Sequence, residues 1–202
     1  MKKISFGILA FCVLIFCVSC KQSSAYEQGN LLDYFAGYEK ESFVFPKAAW
    51  GTSVEEVAGK LGAVREDMED MGNEQFRLKK RISFSEPSCT GYLTCIFQDD
   101  ALVSVGLSIS NSFSIEEEEE YPEIDLQAVL SSLASELEES GFPEPMTAEG
   151  LQPLREDISQ RPAVQWESGD HSGFMISVLG TEDGGNVVWL SVSAPRTSSY
   201  DP

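Results

Sequence analysis

Asp170, His171 and Ser172 are the residues whose types most suggest catalysis, because they supply an acid, a base and a hydroxyl. A nucleophilic hydrolase needs such groups within hydrogen-bond reach of one another, and adjacent side chains diverge along the backbone. The segment GDHSG also has the composition of a turn between strands. The pattern favours His171 as an ordinary turn residue and predicts that the protein is not an enzyme.

Metal ligation is the second chemistry that the residue types could support. His171 is the single histidine, and a zinc site needs further His or Cys ligands at close spacing. Asp183-Gly184-Gly185-Asn186 lacks the spaced acids and the final Glu of a calcium-binding EF-hand. Contiguous acids such as Glu116 to Glu120 do not preorganise a cage, so this run is interpreted as a solvated connector. We expect no metal and no cofactor.

Cys89 and Cys95 are a pair of thiols that could form a disulfide. Six residues of extended strand span about 20 Å, whereas the Cα atoms of a disulfide lie within about 7 Å. The pair could close only around a turn, which Thr90-Gly91 could supply. The sequence leaves a bridge and two free thiols open.

Cys20 offers a different chemistry, covalent attachment to lipid. Met1-Lys2-Lys3 is a positive start, and the apolar run Ile4 to Val18 is shorter than the about 20 residues of a membrane span. This is the layout of a secretory signal peptide. Cys17-Val18-Ser19-Cys20 resembles the bacterial lipobox, in which the final cysteine is lipidated and becomes the mature N-terminus. The resemblance implies lipid attachment at Cys20; ordinary secretion and an uncleaved anchor are the alternatives.

The charge of the chain excludes several classes of partner. The formal net charge is −19, and removal of residues 1–19 takes away Lys2 and Lys3, which leaves 12 basic residues against 33 acidic ones. Such a surface repels nucleic acid and anionic lipid headgroups. We therefore expect neither nucleic acid nor anionic lipid headgroups as partners. The lipid at Cys20 would hold the protein on a bacterial cell membrane, facing the periplasm or the exterior.

The predicted elements that must position these residues repeat one pattern: a helix followed by three strands occurs twice. The segment WGTSVEEVAGKLG predicts a helix over 53–61 with Ser53 as its N-cap. Three strands follow in QFRLKKRISFS, GYLTCIFQ and ALVSVGLSI, the last two joined by a turn at Asp99-Asp100. Asp125 caps a second helix with an apolar stripe to Leu137, and a looser stretch covers 143–161. Three more strands lie in AVQWES, GFMISVLG and NVVWLSVSA.

This pattern predicts an α+β fold made of two helix-then-three-antiparallel-strand repeats, which form one sheet with helices packed on one face. The other face is exposed to solvent or available for binding. The predicted organisation is a signal peptide (1–19), a lipidated cysteine with a flexible tether (20–42), a first repeat (43–115), an acidic connector (116–124), a second repeat (125–195) and a disordered tail (196–202).

Gly51-Thr52-Ser53-Val54-Glu55-Glu56-Val57, ending in Leu61-Gly62, resembles the helix motif of a known repeat. That repeat occurs in the β-lactamase inhibitory protein and in the small lipoprotein of the outer-membrane β-barrel assembly machinery. LTCIFQDDALVSV is similar to its strand-turn-strand hairpin. The likeness is best over 50–109 and weaker over 125–193. The likeness implies this fold and binding to another protein, and it identifies no catalytic residues.

A candidate binding surface follows from strand alternation. If Phe76, Leu78, Ile82 and Phe84 face the core, the basic residues between them face away, beside Tyr92 of the next strand. If Val188, Leu190 and Val192 face the core, Trp189 also faces away. Protein interfaces favour aromatic and Arg side chains; the alternative is cross-strand pairing with acidic neighbours. The candidate residues are Arg77, Lys79, Arg81, Tyr92 and Trp189.

The sequence therefore predicts a lipid-anchored module, outside the cytoplasm, that binds a protein or peptide through its exposed sheet face. Inhibition of a secreted enzyme is a special case of this hypothesis. An envelope-assembly scaffold that uses its helices as the contact surface is the first alternative. A hydrolase of unrecognised type is the second, and the oligomeric state is left open.

Overall fold

The computed structural model describes residues 27–110, 123–142, 148–182 and 184–195. Several predictions lie outside these residues: the signal peptide with Cys20, the acidic run Glu116 to Glu120, Asp183 of the DGGN turn, and the tail from 196. Within the described part of the chain, no helix is both long and apolar enough to cross a membrane.

The described chain begins with strand β1 (Glu27–Asn30), helix α1 (Leu31–Phe35) and a hairpin of β2 (Gly37–Glu39) and β3 (Ser42–Val44). Asn30 caps α1 by accepting a hydrogen bond from the Asp33 amide at 2.9 Å. Leu31, Phe35 and Phe43 are fully buried. The prediction of a flexible tether is therefore wrong for residues 27–42, because their clustered Leu, Tyr and Phe side chains supply enough apolar surface to pack.

The first predicted helix is confirmed as α2 (Val54–Lys60), where the Ser53 hydroxyl accepts from the Glu56 amide at 3.5 Å. A 3₁₀ turn over Arg65–Asp67 follows. Five strands come next: β4 (Met68–Gly72), β5 (Gln75–Leu78), β6 (Ile82–Glu86), β7 (Ser88–Gln98) and β8 (Ala101–Ser110). The single strand predicted through QFRLKKRISFS is two strands, because residues 79–81 form a bend between β5 and β6.

In the second half, α3 (Leu126–Glu139) confirms the second predicted helix, and Asp125 Oδ1 accepts from the Gln127 and Ala128 amides at 3.0 and 3.1 Å. The stretch predicted as loose contains an eight-residue helix, α4 (Ala148–Arg155), and a 3₁₀ turn over Ile158–Gln160. The three predicted strands are present as β9 (Ala163–Glu167), β10 (Gly173–Gly180) and β11 (Asn186–Ser193).

Among the described residues, nine strands form one mixed sheet in the order β1-β6-β7-β8-β11-β10-β9; β5 pairs with β7, and β4 with β5. β1 is parallel to β6, and the other pairs are antiparallel. The predicted α+β arrangement of two helix-then-three-strand repeats is wrong. Strands hold 44% of the described residues and helices 26%, with four α-helices among them. The bend at 79–81, the unforeseen β4 and the folded N-terminal segment break the repeat.

One apolar cluster packs against a single face of the sheet. Helix α2 contacts β8 and helix α3 contacts β11. The inward residues of the central strands, such as Leu93, Leu107 and Leu190, have no solvent exposure. The residues that alternate with them form the opposite surface, here called the outer face.

Candidate binding face

In the part of the chain that the structure describes, the outer face carries no charged side chain on its four central strands, although the whole chain has a net charge of −19. Depletion of charge is typical of the centre of a protein interface. Most of these side chains are partly exposed; Gly106, Thr90 and Ser177 are buried. The set is Thr90, Tyr92, Thr94 and Ile96 on β7, Ser104, Gly106, Ser108 and Ser110 on β8, Val187, Trp189, Ser191 and Ser193 on β11, and Met175, Ser177 and Leu179 on β10.

Two guanidinium groups pack against the Tyr92 ring at one margin of this face. The Cζ atoms of Arg77 and Arg81 lie 5.1 and 4.7 Å from the centre of its ring, which is cation–π geometry. Arg77 is also held by Glu69, whose Oε2 accepts from Nη2 at 2.6 Å and from Nε at 3.1 Å. Arg77, Arg81 and Tyr92 line a depression of about 210 Å³, whose other lining residues are Gly91, Ser108, Ser110 and Val187.

The structure separates the basic residues that the sequence grouped. Arg77 and Arg81 lie together at Tyr92, but Arg81 is only 7% exposed, so the prediction of an exposed Arg81 is wrong. Its guanidinium packs on the tyrosine ring instead of standing in solvent. Lys79 is exposed in the bend between β5 and β6, where its Nζ donates to the Glu66 carbonyl oxygen at 2.6 Å. Lys79 thus contacts the 3₁₀ turn.

Trp189 lies across the middle of the outer face. Its indole covers Gly106, where an added Cβ would stand 2.2 Å from Cζ2 and 2.3 Å from Cη2. Only a residue without a side chain allows the ring to come so close to the sheet. Tyr92 and Trp189 both lie opposite Ser108 in the strand register, so their backbones are two strand spacings, about 10 Å, apart.

The Asp170-His171-Ser172 turn holds two parts of the fold together. Asp170 accepts hydrogen bonds from the Ser168 hydroxyl and from the Ser172 amide, the latter at 2.9 Å. Burial acts to raise the pKa of Asp170, but these hydrogen bonds hold it well below its usual range. The fully buried Ser172 hydroxyl accepts from the Phe43 amide at 2.7 Å. The network therefore fixes the β2–β3 hairpin to the β9–β10 turn.

His171 points to a different partner. Its Nδ1 lies 2.6 Å from Glu167 Oε1, and the histidine side chain is 63% exposed. The backbone of His171 is left-handed, with φ of 64°, as befits a tight turn. The acid and the hydroxyl of this turn thus share one network, whereas the imidazole contacts Glu167. Within the described ranges, no three His, Cys, Asp or Glu side chains form a group that could hold a metal ion.

The two described cysteines are free and buried within the single strand β7, which keeps Cys89 and Cys95 apart. Burial raises the pKa of both thiols to about 12, and Glu136 adds to the shift at Cys89. A thiol that stays protonated is a poor nucleophile. The bridge that the sequence left open is absent between these two residues, and both act as small apolar core residues.

Sequence reasoning located Tyr92 and Trp189 but missed Gly106, which decides where the indole rests. The available signal was the alternation of small residues in Ser104, Gly106 and Ser108, which marks a flat strand face. No pattern in the sequence indicated the contact of Arg81 with Tyr92, because this cation–π contact depends on the bend before β6.

Comparisons of the chain with protein-family models, with curated proteins and with solved structures gave no match.

Proposed function

We propose that the protein is a lipid-anchored binding module, located outside the cytoplasm, whose outer face takes a protein or peptide partner. The observation that carries the proposal is a charge-free surface across four strands of an acidic protein, with Trp189 and Tyr92 on it and Arg77 at its margin. Trp, Tyr and Arg are the side chains that most often dominate binding energy at interfaces. Lipid attachment at Cys20 would keep this surface at the membrane.

Several hydroxyl groups of the outer face are already hydrogen-bonded within the sheet. Ser104 Oγ donates to the Val192 carbonyl at 3.0 Å, and Ser110 Oγ donates to the Asn186 carbonyl at 3.4 Å. A polar group that keeps its hydrogen bond costs little when a partner covers it. These serines therefore allow close contact between the outer face and a partner. The exposed portions of Trp189 and Tyr92 supply apolar area that favours this contact.

Affinity capture from envelope extract with the full chain tests the proposal. The test variant combines Trp189→Ala with Arg77→Glu, because the Arg77 side chain is 37% exposed whereas Arg81 is buried. Each change removes a side chain of the hot-spot type, so we expect at least about a tenfold loss of the captured partner. Lys60→Glu, an exposed charge reversal on α2, is the matched control and should leave capture intact.

Circular dichroism must show that the double variant remains folded. A folded double variant that captures the partner as well as the parent chain does would refute the outer face as the binding surface. Loss of capture in Lys60→Glu as well would point to general electrostatic attraction instead.

A further inference from the structure

We propose that β9, an edge strand of the sheet, pairs antiparallel with β9 of a second copy of this chain, so that the two sheets become one. The pairing uses the backbone of the strand. It depends neither on lipid attachment at Cys20 nor on a partner at the outer face, and it adds a second interaction surface at the edge of the sheet.

β9 is an edge strand without the usual protection against pairing. Among the described strands it pairs with β10 alone and without a register shift, and its five residues, AVQWE, contain no Lys or Pro and one charge, at Glu167. The edge strand β4 differs, since it holds Glu69 and Asp70 and its register with β5 shifts between Asp70 and Gly72. Charges and bulges of this kind keep sheet edges from pairing with other chains. β9 therefore lacks the features that prevent the addition of another strand.

The hydrogen-bond pattern shows which backbone groups of β9 point away from the sheet. The Val178 amide of β10 donates to the carbonyl of Pro162, the residue before β9, at 2.8 Å. Alternate residues of an antiparallel strand direct their backbone groups to the same neighbour, so the even-numbered residues of this segment face β10. Ala163, Gln165 and Glu167 thus direct their N–H and C=O groups toward the free edge.

The apolar core reaches this edge and is only partly covered there. Val164 and Trp166 alternate toward the core side of the sheet, yet both remain partly exposed. The Trp166 ring stacks on the buried Phe174 ring, with centroids 5.5 Å apart and planes at 14°. Another strand at this edge would cover the remaining apolar surface of Val164 and Trp166, which favours association.

The order of side chains along β9 suits a second copy of the same strand. When two copies pair antiparallel about Gln165, Val164 of one copy lies opposite Trp166 of the other, and Ala163 lies opposite Glu167. Aromatic side chains opposite β-branched ones stabilise a strand pair, and no like charges meet in this register. A pairing centred on Glu167 would instead place two carboxylates opposite each other. The register about Gln165 is therefore favoured.

This dimer would present two outer faces together. Its two-fold axis passes between the two Gln165 residues, perpendicular to the sheet, so both outer faces point to the same side. The two Trp189 backbones then lie five strand spacings, about 24 Å, apart across the strands. A partner with repeated sites can contact both faces at once, which raises its overall affinity.

The dimer should be weak, and its response to salt is predictable. A strand pair of five residues is small beside the about 1,200 Å² that a stable interface buries. The whole chain has a net charge of −19, so two copies repel each other until salt screens the charge. We expect association to strengthen as the salt concentration is raised.

Disulfide trapping tests the pairing in the full chain. In Gln165→Cys, the Cα atoms of the two introduced cysteines would lie about 5.5 Å apart, within the range of a disulfide. Met71→Cys, at an exposed position of the β4 edge, is the matched control, and both variants keep the five cysteines of the parent chain. Under mild oxidation we expect several-fold more covalent dimer from Gln165→Cys. Mass spectrometry should locate the link between the two introduced cysteines.

A charge at the same position gives an independent measurement. Gln165→Lys places two ammonium groups opposite each other, so analytical ultracentrifugation should show several-fold weaker association. The change also makes the protein less acidic, which by itself would favour association. Met71→Lys makes the same change of charge away from β9 and should not weaken the dimer. Both variants must keep the circular dichroism of the parent chain.

Equal trapping of the two cysteine variants, or unchanged association of folded Gln165→Lys, overturns the inference. A parent chain that stays monomeric at millimolar concentration and high salt also overturns it. Trapping of Gln165→Cys on a different protein in envelope extract, and not on a second copy, would show that β9 pairs with that protein and would refute the dimer.

Discussion

At the scale of single residues, Trp189 depends on the absence of a side chain at Gly106. We predict that Gly106→Ala pushes the indole off the sheet, since the added Cβ would stand 2.2 Å from Cζ2. The ring is the end of a side chain and can swing away, so the expected loss of unfolding free energy is only about 1 kcal/mol. Partner capture should fall as it does in Trp189→Ala. Near-ultraviolet circular dichroism reports the moved indole, and Ser104→Ala is the control on the same strand.

Asp170 gives the protein a predictable response to acid. Because hydrogen bonds lower its folded-state pKa, its stabilising effect is present above the ordinary carboxyl pKa of about 3.9 and is lost as the pH falls below that value. Asp170→Asn should therefore be less stable than the parent chain at neutral pH, and the difference should shrink from about pH 4 downward. Urea unfolding across this range measures it. A constant difference at all pH values would show that the carboxylate charge is irrelevant, and Asp99→Asn in the exposed β7–β8 turn is the control.

Strand alternation predicted which residues face outward wherever a strand is regular. Val188, Leu190 and Val192 are fully buried, as predicted, and Trp189 lies on the other surface. Alternation failed at Arg81, because the bend at 79–81 ends the pattern and cation–π contact with Tyr92 then decides the position of the side chain. Regular alternation also breaks near Val103, since the register shift after Ile96 places Leu102 in the core and leaves Val103 partly exposed.

At the scale of elements, the N-terminal segment is the main departure from the sequence prediction. We predict that Phe35→Ala in α1 lowers the free energy of unfolding by about 3–5 kcal/mol, because the ring has no solvent exposure and packs edge-on against Phe45. A flexible tether would tolerate the change. Chemical denaturation measures the effect, and Lys40→Ala in the exposed hairpin turn should change stability little. An unchanged midpoint in Phe35→Ala would restore the tether hypothesis.

The elements that the sequence predicted well have local signals of their own. Helices α2 and α3 have side-chain caps at Ser53 and Asp125, and the β7–β8 turn has positive φ angles at Asp99 and Asp100. Helix α1 and strand β1 are too short for periodicity to reveal. Each depends on pairing or packing with distant residues, such as the register of β1 with β6. Tertiary contacts, not propensity, create them.

At the scale of the whole molecule, the pairing of β8 with β11 joins the two halves of the chain into one sheet. Seven residue pairs, from Val187 with Ser110 to Ser193 with Ser104, join the two halves across the middle of the sheet. The same join makes the outer face continuous, because Tyr92 comes from one half and Trp189 from the other. Neither half alone carries the candidate site.

We therefore predict that the chain unfolds as one cooperative unit and that its halves do not fold separately. If each were an independent repeat, fragments covering 20–115 and 125–195 would fold alone. In the structure, separation strips β8 and β11 of their shared hydrogen bonds and exposes the apolar core that Leu107 and Leu190 help to form. Calorimetry of the full chain should show a single transition, and each fragment should lack near-ultraviolet circular dichroism until the two are mixed. Two separate transitions, or a fragment folded by itself, would contradict the single sheet.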